Sequence, residues 1–102
     1  MTRDANLLKA LGHPSRLQMA LALTAGETCV CKLQELVGSD VSTVSRHLSV
    51  MRAAGLLDSR KSGLWVYYRL RPEALRQLAG CLGALAAAAV APCEPVPPGE
   101  RG

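Results

Sequence analysis

The stretch Val41–Leu70 has the sequence VSTVSRHLSVMRAAGLLDSRKSGLWVYYRL, and its hydrophobic period changes at Gly55. Before this glycine, apolar residues recur at intervals of three and four, which predicts an amphipathic helix. After it, two strand-forming runs flank Ser62-Gly63, which predicts a β-hairpin with its turn at these two residues. The stretch therefore predicts a helix that leads directly into a small hairpin.

Three more helices are predicted before this unit. From the spacing of apolar residues, their ranges are Asp4–Leu11, Ser15–Thr24 and Val30–Val37. Gly38 ends the third helix, and Ser39-Asp40 or Ser42 caps the next one, so that two helices meet at a tight turn. Together with the hairpin, this order predicts a mainly α fold with a small β-hairpin, the winged helix-turn-helix.

The remainder of the chain divides into a last helix and a tail. Pro72 opens a helix that is predicted to run from Glu73 to about Ala91. Four of the six prolines follow it, from Pro92 onward. We therefore expect one domain over residues 1–91 and a flexible, Pro-rich tail over residues 92–102.

The composition limits the size and the class of the protein. A chain of 102 residues has room for one domain, and its 17 Leu and 15 Ala against three aromatic residues are typical of packed helices. Such a small aliphatic core is marginally stable alone. A partner subunit or a bound metal is the expected source of further stability.

Positive charge is concentrated in the predicted helix and hairpin. The chain has a net charge of +4, and residues 41–71 contain six basic residues but a single acid. This distribution predicts DNA as a partner, because a basic patch attracts phosphates. On the helix, short hydroxyl side chains beside the apolar stripe Val41, Val44, Leu48 and Met51 would fit a major groove, and Arg46 would reach guanine or a phosphate. The candidate DNA contacts are Ser42, Thr43, Ser45, Arg46, His47 and Arg52, with Arg60 and Lys61 at the hairpin tip.

The competing interpretation is that these polar side chains only face solvent and bind no partner. Any one amphipathic helix has such a face, and a solvated turn explains Arg60 and Lys61 nearly as well. The combination of the tight turn, the helix and the basic hairpin favours DNA binding. Trp65, Tyr67 and Tyr68 are expected to pack the hairpin against the helices rather than to stack on bases.

Several motifs resemble those of the ArsR/SmtB family of metalloregulatory repressors. They are LGHPSRL at 11–17, ETCVCKL at 27–33, VSRHLSVMR at 44–52, AGLL at 54–57 and RKSGLWVYYRL at 60–70. The resemblance covers roughly residues 5–75. It implies a homodimeric winged-helix repressor that binds a palindromic operator when empty and releases it on binding a metal or metalloid.

The resemblance also assigns roles to single residues. It places Ser45, Arg46 and His47 on the reading helix and gives Arg16 a phosphate contact. The first and last helices match the dimer interface, and the alternative is that their leucines simply close the core of one subunit. The candidate interface residues are Leu7, Leu8, Leu11, Leu75, Leu78, Leu82 and Leu85.

Two of the four cysteines form a candidate sensor. Cys29-Val30-Cys31 matches the third-helix thiolate motif that the family associates with As(III) and Sb(III), and in other members with Cd(II) or Pb(II). In a regular helix, side chains two residues apart point about 200° from each other. Both sulfurs therefore bind one ion only if the start of the helix is distorted, and this distortion would shift the reading helix beyond Gly38.

A three-coordinate soft ion also needs a third sulfur. Gln34 stands where some family members carry another cysteine, which leaves Cys93 on the tail or, less favoured, Cys81 in the last helix. Either could instead be a packing residue. Zinc sensing on the last helix is disfavoured, because residues 73–91 contain no His and only one acid. No organic cofactor is expected.

Other functions remain open at this point. One alternative keeps the same fold but releases DNA in response to cysteine oxidation, or to Cd(II) or Pb(II). Another is a dimerisation module that does not bind DNA, but the basic hairpin argues against it. A small thiol oxidoreductase is a weaker alternative, because the motif is C-x-C rather than C-x-x-C, and we expect no enzyme. The N-terminus lacks a signal-peptide region, and the uncharged stretch 78–91 is too short for a bilayer, so a cytoplasmic location without membrane contact is expected.

Overall fold

The structure, a computed structural model, describes residues 2–90 and contains five helices and a three-stranded antiparallel sheet in that range. In chain order the elements are α1 Thr2–Leu11, α2 Pro14–Leu23, β1 Thr28–Cys29, α3 Val30–Val37, α4 Val41–Ala53, β2 Leu57–Ser62, β3 Trp65–Leu70 and α5 Pro72–Val90. The predicted helices, the tight turn and the hairpin are all present. The tail at residues 92–102 lies outside the described residues.

Local side chains fix the ends of the central helices. Gly38 ends α3 with φ 74°, a left-handed conformation that glycine adopts without strain. Asp40 caps α4, because its Oδ1 accepts a hydrogen bond of 2.9 Å from the amide of Thr43. Bonding to Thr43 lowers the pKa of this carboxyl, since it stabilises the ionised form. The turn between α3 and α4 is thereby held at both ends.

The hairpin formed by β2 and β3, residues 57–70, is called the wing. Its register pairs Leu57 with Leu70 and Ser62 with Trp65, so Gly63-Leu64 forms the turn. The turn was predicted at Ser62-Gly63, which was wrong by one residue. Gly63 takes the first central position of the turn, with φ 60°.

A third strand was not predicted from the sequence. β1 pairs with β3 on the side away from β2, with Thr28 opposite Tyr68 and Cys29 opposite Tyr67. A strand of two residues is too short to produce an alternating pattern of apolar residues, so no signal marked it. Its position joins the segment before α3 to the wing.

The core is built from aliphatic and methionine side chains contributed by all five helices and the start of the wing. It comprises Leu7, Ala10, Met19, Ala20, Leu23, Leu33, Val44, Leu48, Met51, Leu56, Leu57, Ala74 and Leu78. Val41 does not join the predicted stripe and is exposed, because it begins α4 beside the turn rather than over the core.

The last helix is only partly supported by the rest of the chain. Ala74 and Leu78 are buried, and Gln77 donates a hydrogen bond of 2.7 Å to Asp4 on α1. Beyond them Leu82 and Leu85 are exposed. Within residues 2–90, none of the helices combines the length and the apolar character that crossing a bilayer requires.

Candidate nucleic-acid interface and thiol site

The outer face of α4 carries most of the predicted DNA contacts. Ser42, Ser45, Arg46 and Arg52 are exposed there, opposite the buried Val44, Leu48 and Met51, and Thr43 is half-buried by its position in the first turn. In the described part of the chain neither arginine takes part in an ion pair. The face therefore presents small hydroxyls and free guanidinium groups to the solvent.

His47 does not belong to this outer face. Its ring lies 4.4 Å from that of His13, measured between centroids, and its Nδ1 lies 3.3 Å from Nη1 of Arg16. The expected place of His47 on the outer face is therefore corrected, and base reading by His47 stays a prediction. Positions 44, 47, 48 and 51 follow the spacing of a single helix face, so His47 turns toward α2.

Arg16 is half-buried and is held by backbone carbonyls. Its Nε donates to the carbonyl of Ala10 at 2.8 Å and its Nη2 to that of Lys9 at 3.5 Å, at the end of α1. A cation in this place stabilises the carboxyl end of a helix. Its guanidinium thus joins α1, α2 and α4, and the phosphate contact that the resemblance implies for Arg16 stays a prediction.

Acidification is expected to destabilise the protein through His47. Burial lowers the pKa of His47 below 6.5, and the charges of His13, Arg16 and Arg46 lower it further. The unfolded chain then binds more protons than the folded one, so stability is complete above pH 6.5 and falls as the pH drops through the folded-state pKa. We expect the Tm to fall by a few degrees between pH 7.5 and 5.5, measured by circular dichroism, and His47→Gln to flatten this slope. An unchanged slope in the variant would contradict the assignment.

Arg60 lies away from the tip of the wing, which corrects its predicted position. The tip is Gly63-Leu64, and the Arg60 guanidinium turns to the carboxylate of Glu27 instead, with Nη2 2.7 Å from Oε1. This contact lowers the pKa of Glu27, because the positive charge favours its ionised form. Lys61 is exposed and remains a candidate phosphate contact.

Cys29 and Cys31 lie together at the junction of β1 and α3. Cys29 has φ −76° and ψ 154°, so it is extended and precedes the helix, whereas Cys31 lies in the first helical turn. The angle of about 200° for a regular helix does not apply to this pair. A hydrogen bond from the Cys31 thiol lowers the pKa of Cys29, aided by the amide of Lys32, and raises the pKa of Cys31. We call this pair the thiol site.

A third ligand is not supplied by the part of the chain that the structure describes. Between residues 2 and 90, no three His, Cys, Asp or Glu side chains cluster in a way that would hold a metal ion. Cys81 is half-buried on α5 and does not join the thiol site. Cys93, the favoured third ligand, lies outside the described residues. The two thiols present fit a soft ion, because thiolates are its preferred ligands.

Comparison with known proteins identifies the family. Residues 13–59 match the model described as "Bacterial regulatory protein, arsR family". A biofilm growth-associated repressor of Xylella fastidiosa is 37% identical over 78 residues, which cover 76% of this chain and 68% of the relative. The chain belongs to the arsR family. The family and this relative are transcriptional regulators, not enzymes, in agreement with the expectation from the sequence.

Two further proteins that this chain resembles bear on the effector and the assembly. The arsenic resistance transcriptional regulator ArsR1 of Pseudomonas putida is 43% identical over 68 residues, which cover 66% of this chain and 53% of that protein. A solution NMR structure from Mycobacterium bovis is described as a homodimeric winged helix-turn-helix DNA-binding domain. It covers 86% of this chain and 79% of its own, with 28% identity and a TM-score of 0.66. The winged helix-turn-helix fold is thereby confirmed.

The leucines expected at a dimer interface of this arsR-family chain fall into three groups. Leu7 and Leu78 are 0% and 4% exposed in one subunit, so they leave little or no side-chain area for a partner to cover, and their place in an interface stays a prediction. Leu11 and Leu75 are half-buried against the same core. Leu8, Leu82 and Leu85 are exposed on α1 and α5 and are the members of the set that present the most apolar area.

Proposed function

We propose that this chain is a homodimeric repressor that releases operator DNA when Cys29 and Cys31 bind As(III) or Sb(III). The observation that carries the proposal is the placement of the two cysteines at the start of α3, with Cys29 extended just before the helix and Cys31 in its first turn. As third ligand we favour Cys93, from the same or the partner subunit, ahead of Cys81. The arsenic-resistance regulator of Pseudomonas putida supports this choice of effector.

The chemistry of the thiol site favours a soft, thiophilic ion. The lowered pKa of Cys29 increases its thiolate fraction near neutral pH, and the thiolate is the form that binds such ions. Cys31 is exposed, so an ion can approach from solvent. Oxygen-preferring ions such as Mg²⁺ gain little from this pair of sulfurs.

Sensing and DNA binding are connected through α3. This helix has eight residues and ends at Gly38, and only Ser39 and Asp40 separate it from α4. Leu33 of α3 and Val44 of α4 lie in the same core, so the two helices cannot move independently. Cys31 lies in the first turn of α3 and Cys29 in the extended segment before it, so an ion bound to both sulfurs constrains the start of this helix, and we infer that this displaces α4 from the major groove.

The assembly and the location follow from the same proposal. Two copies would cover the exposed leucines of α1 and α5, and the homodimeric domain from Mycobacterium bovis supports this arrangement. A dimer presents two copies of α4 to the two halves of a palindromic operator. Because operator DNA lies in the bacterial cytoplasm, we place the protein there.

Fluorescence anisotropy with labelled promoter DNA from upstream of its own gene tests the function. As(III), Sb(III), Cd(II), Pb(II), Zn(II) and peroxide are added separately to the preformed complex. We expect release by As(III) or Sb(III) at the lowest concentrations. Release by peroxide alone would contradict the metalloid function, and the lack of any salt-dependent binding would contradict a DNA-binding regulator.

Arg46 is expected to be the strongest single contact of α4 with the operator. Arg46→Gln removes a side chain that can donate two hydrogen bonds to guanine, and we expect the operator affinity to fall about 5- to 150-fold. Arg76→Gln is the matched control, because Arg76 is also exposed but lies on α5. Equal affinities of the two variants in anisotropy titrations at fixed salt would argue against this role.

A further inference from the structure

The segment before the thiol site is attached directly to the wing. β1 consists of Thr28 and Cys29, which pair with Tyr68 and Tyr67 of β3. α3 begins at the next residue, Val30, so no linker separates this pairing from the helix. A displacement of the backbone at Cys29 therefore acts on the wing as directly as it acts on α3.

Cys29, Tyr67 and Arg60 form one row across the three strands. Tyr67 is the pairing partner of Cys29 on one side and of Arg60 on the other. Directly opposed residues of antiparallel strands project to the same face, so the three side chains share a face. The guanidinium carbon of Arg60 lies 4.9 Å from the centroid of the Tyr67 ring, within range of a cation–π interaction.

Glu27 completes a second connection between this segment and the wing. Its Oε1 and Oε2 accept hydrogen bonds from Nε of Arg60 at 2.9 and 2.8 Å, and Nη2 approaches Oε1 to 2.7 Å. Such multiple charge-assisted contacts hold both groups in a defined orientation. The ion pair between Arg69 and Asp58, by contrast, joins β2 to β3 and does not involve β1.

We propose that the Glu27–Arg60 ion pair transmits the state of the thiol site to the wing. Arg60 is then a positioning residue and not a phosphate contact. When the Cys29 and Cys31 sulfurs close on one ion, the backbone of residues 27–29 shifts, and the ion pair carries this shift to β2. The wing moves together with α4. The inference rests on the proposed function for its choice of thiol ligand.

Hydrogen exchange in the absence of DNA tests this coupling. The probe is phenylarsine oxide, an organic As(III) compound that binds two thiolates. We compare the wild type with Glu27→Gln and Arg60→Gln, and with Arg69→Gln as the matched control, since Arg69 and Arg60 both have side chains that are 57% exposed. We expect the probe to change exchange at residues 57–62 in the wild type and in the control. In the two test variants we expect a clearly smaller change at residues 57–62, because only the backbone pairing of β1 with β3 then connects the thiol site to the wing.

The opposite results would overturn the proposal. They are a wild-type wing that does not respond to the probe, or test variants whose wing responds like the wild type. Operator titrations add an independent comparison: we expect both test variants to bind about two- to fourfold more weakly, because the wing is freed in each. If Arg60 contacted a phosphate instead, the two variants would change the operator affinity in opposite directions. Arg60→Gln would lower it, and Glu27→Gln would raise it by releasing the guanidinium. A wing that responds without any As(III)-driven DNA release supports the coupling and contradicts the proposed function.

Discussion

Cys29→Ser and Cys31→Ser are each expected to lower the affinity for As(III) by about 100-fold or more. Loss of a group that only supports a metal ligand costs 10- to 100-fold, so loss of a direct ligand costs at least as much. A serine oxygen is a poor replacement, because As(III) prefers sulfur. In residues 2–90 no further cluster of ligands compensates for the missing thiolate. The measurement is a titration followed by the ultraviolet absorbance of the arsenic–thiolate bonds.

Cys81→Ser is the matched control for these variants. Cys81 is half-buried like Cys29 but lies on α5, away from the thiol site. We expect Cys81→Ser to bind As(III) as the wild type does and Cys93→Ser to show an intermediate loss; the reverse result would make Cys81 the third ligand. All variants should keep their operator affinity without As(III). Neither Cys29 nor Cys31 lies on the outer face of α4. Wild-type As(III) affinity in Cys29→Ser or Cys31→Ser would contradict the proposed site.

Leu82→Glu and Leu85→Glu, combined in one chain, are expected to prevent dimer formation. These side chains are 50% and 62% exposed in the single subunit. Full burial of a leucine contributes about 1.5–3 kcal/mol, so their half-exposed surfaces in two subunits contribute several kcal/mol to the dimer. We expect the dimer dissociation constant to rise about 100-fold or more, measured by sedimentation equilibrium. Operator affinity should fall with it, because a monomer contacts one half-site.

Leu21→Glu is the matched control for the dimer variant. Leu21 is 64% exposed, but it lies on α2 rather than on α1 or α5. The control should remain dimeric, and circular dichroism should show that both variants retain their helices. Dimers of wild-type stability in the Leu82/Leu85 variant would show that another surface forms the interface.

Most of the secondary structure followed from local patterns in the sequence. The spacing of Val44, Leu48 and Met51 defined one buried face of α4, and Gly38 with the polar residues after it defined the turn. These signals are local because helix periodicity and capping depend on residues three or four positions apart. The hairpin was found for the same reason, although its turn was predicted one residue early.

The candidate site was only partly predictable. The C-x-C motif identified Cys29 and Cys31, but the extended conformation of Cys29 depends on its pairing with Tyr67, 38 positions further along the chain. His47 was assigned to the wrong face, because its contacts with His13 and Arg16 form only when α2 packs against α4. No feature of the sequence pattern indicated the Glu27–Arg60 ion pair.

The sequence by itself determined the order of the elements, the concentration of positive charge in residues 41–71 and the presence of a paired thiol motif. Each depends on residue types and on neighbours close in the chain. Only the tertiary structure decided which polar side chains face solvent, which leucines stay uncovered and how the thiol site is attached to the wing. Those properties depend on contacts between residues that are distant in sequence, and packing of the whole core fixes such contacts.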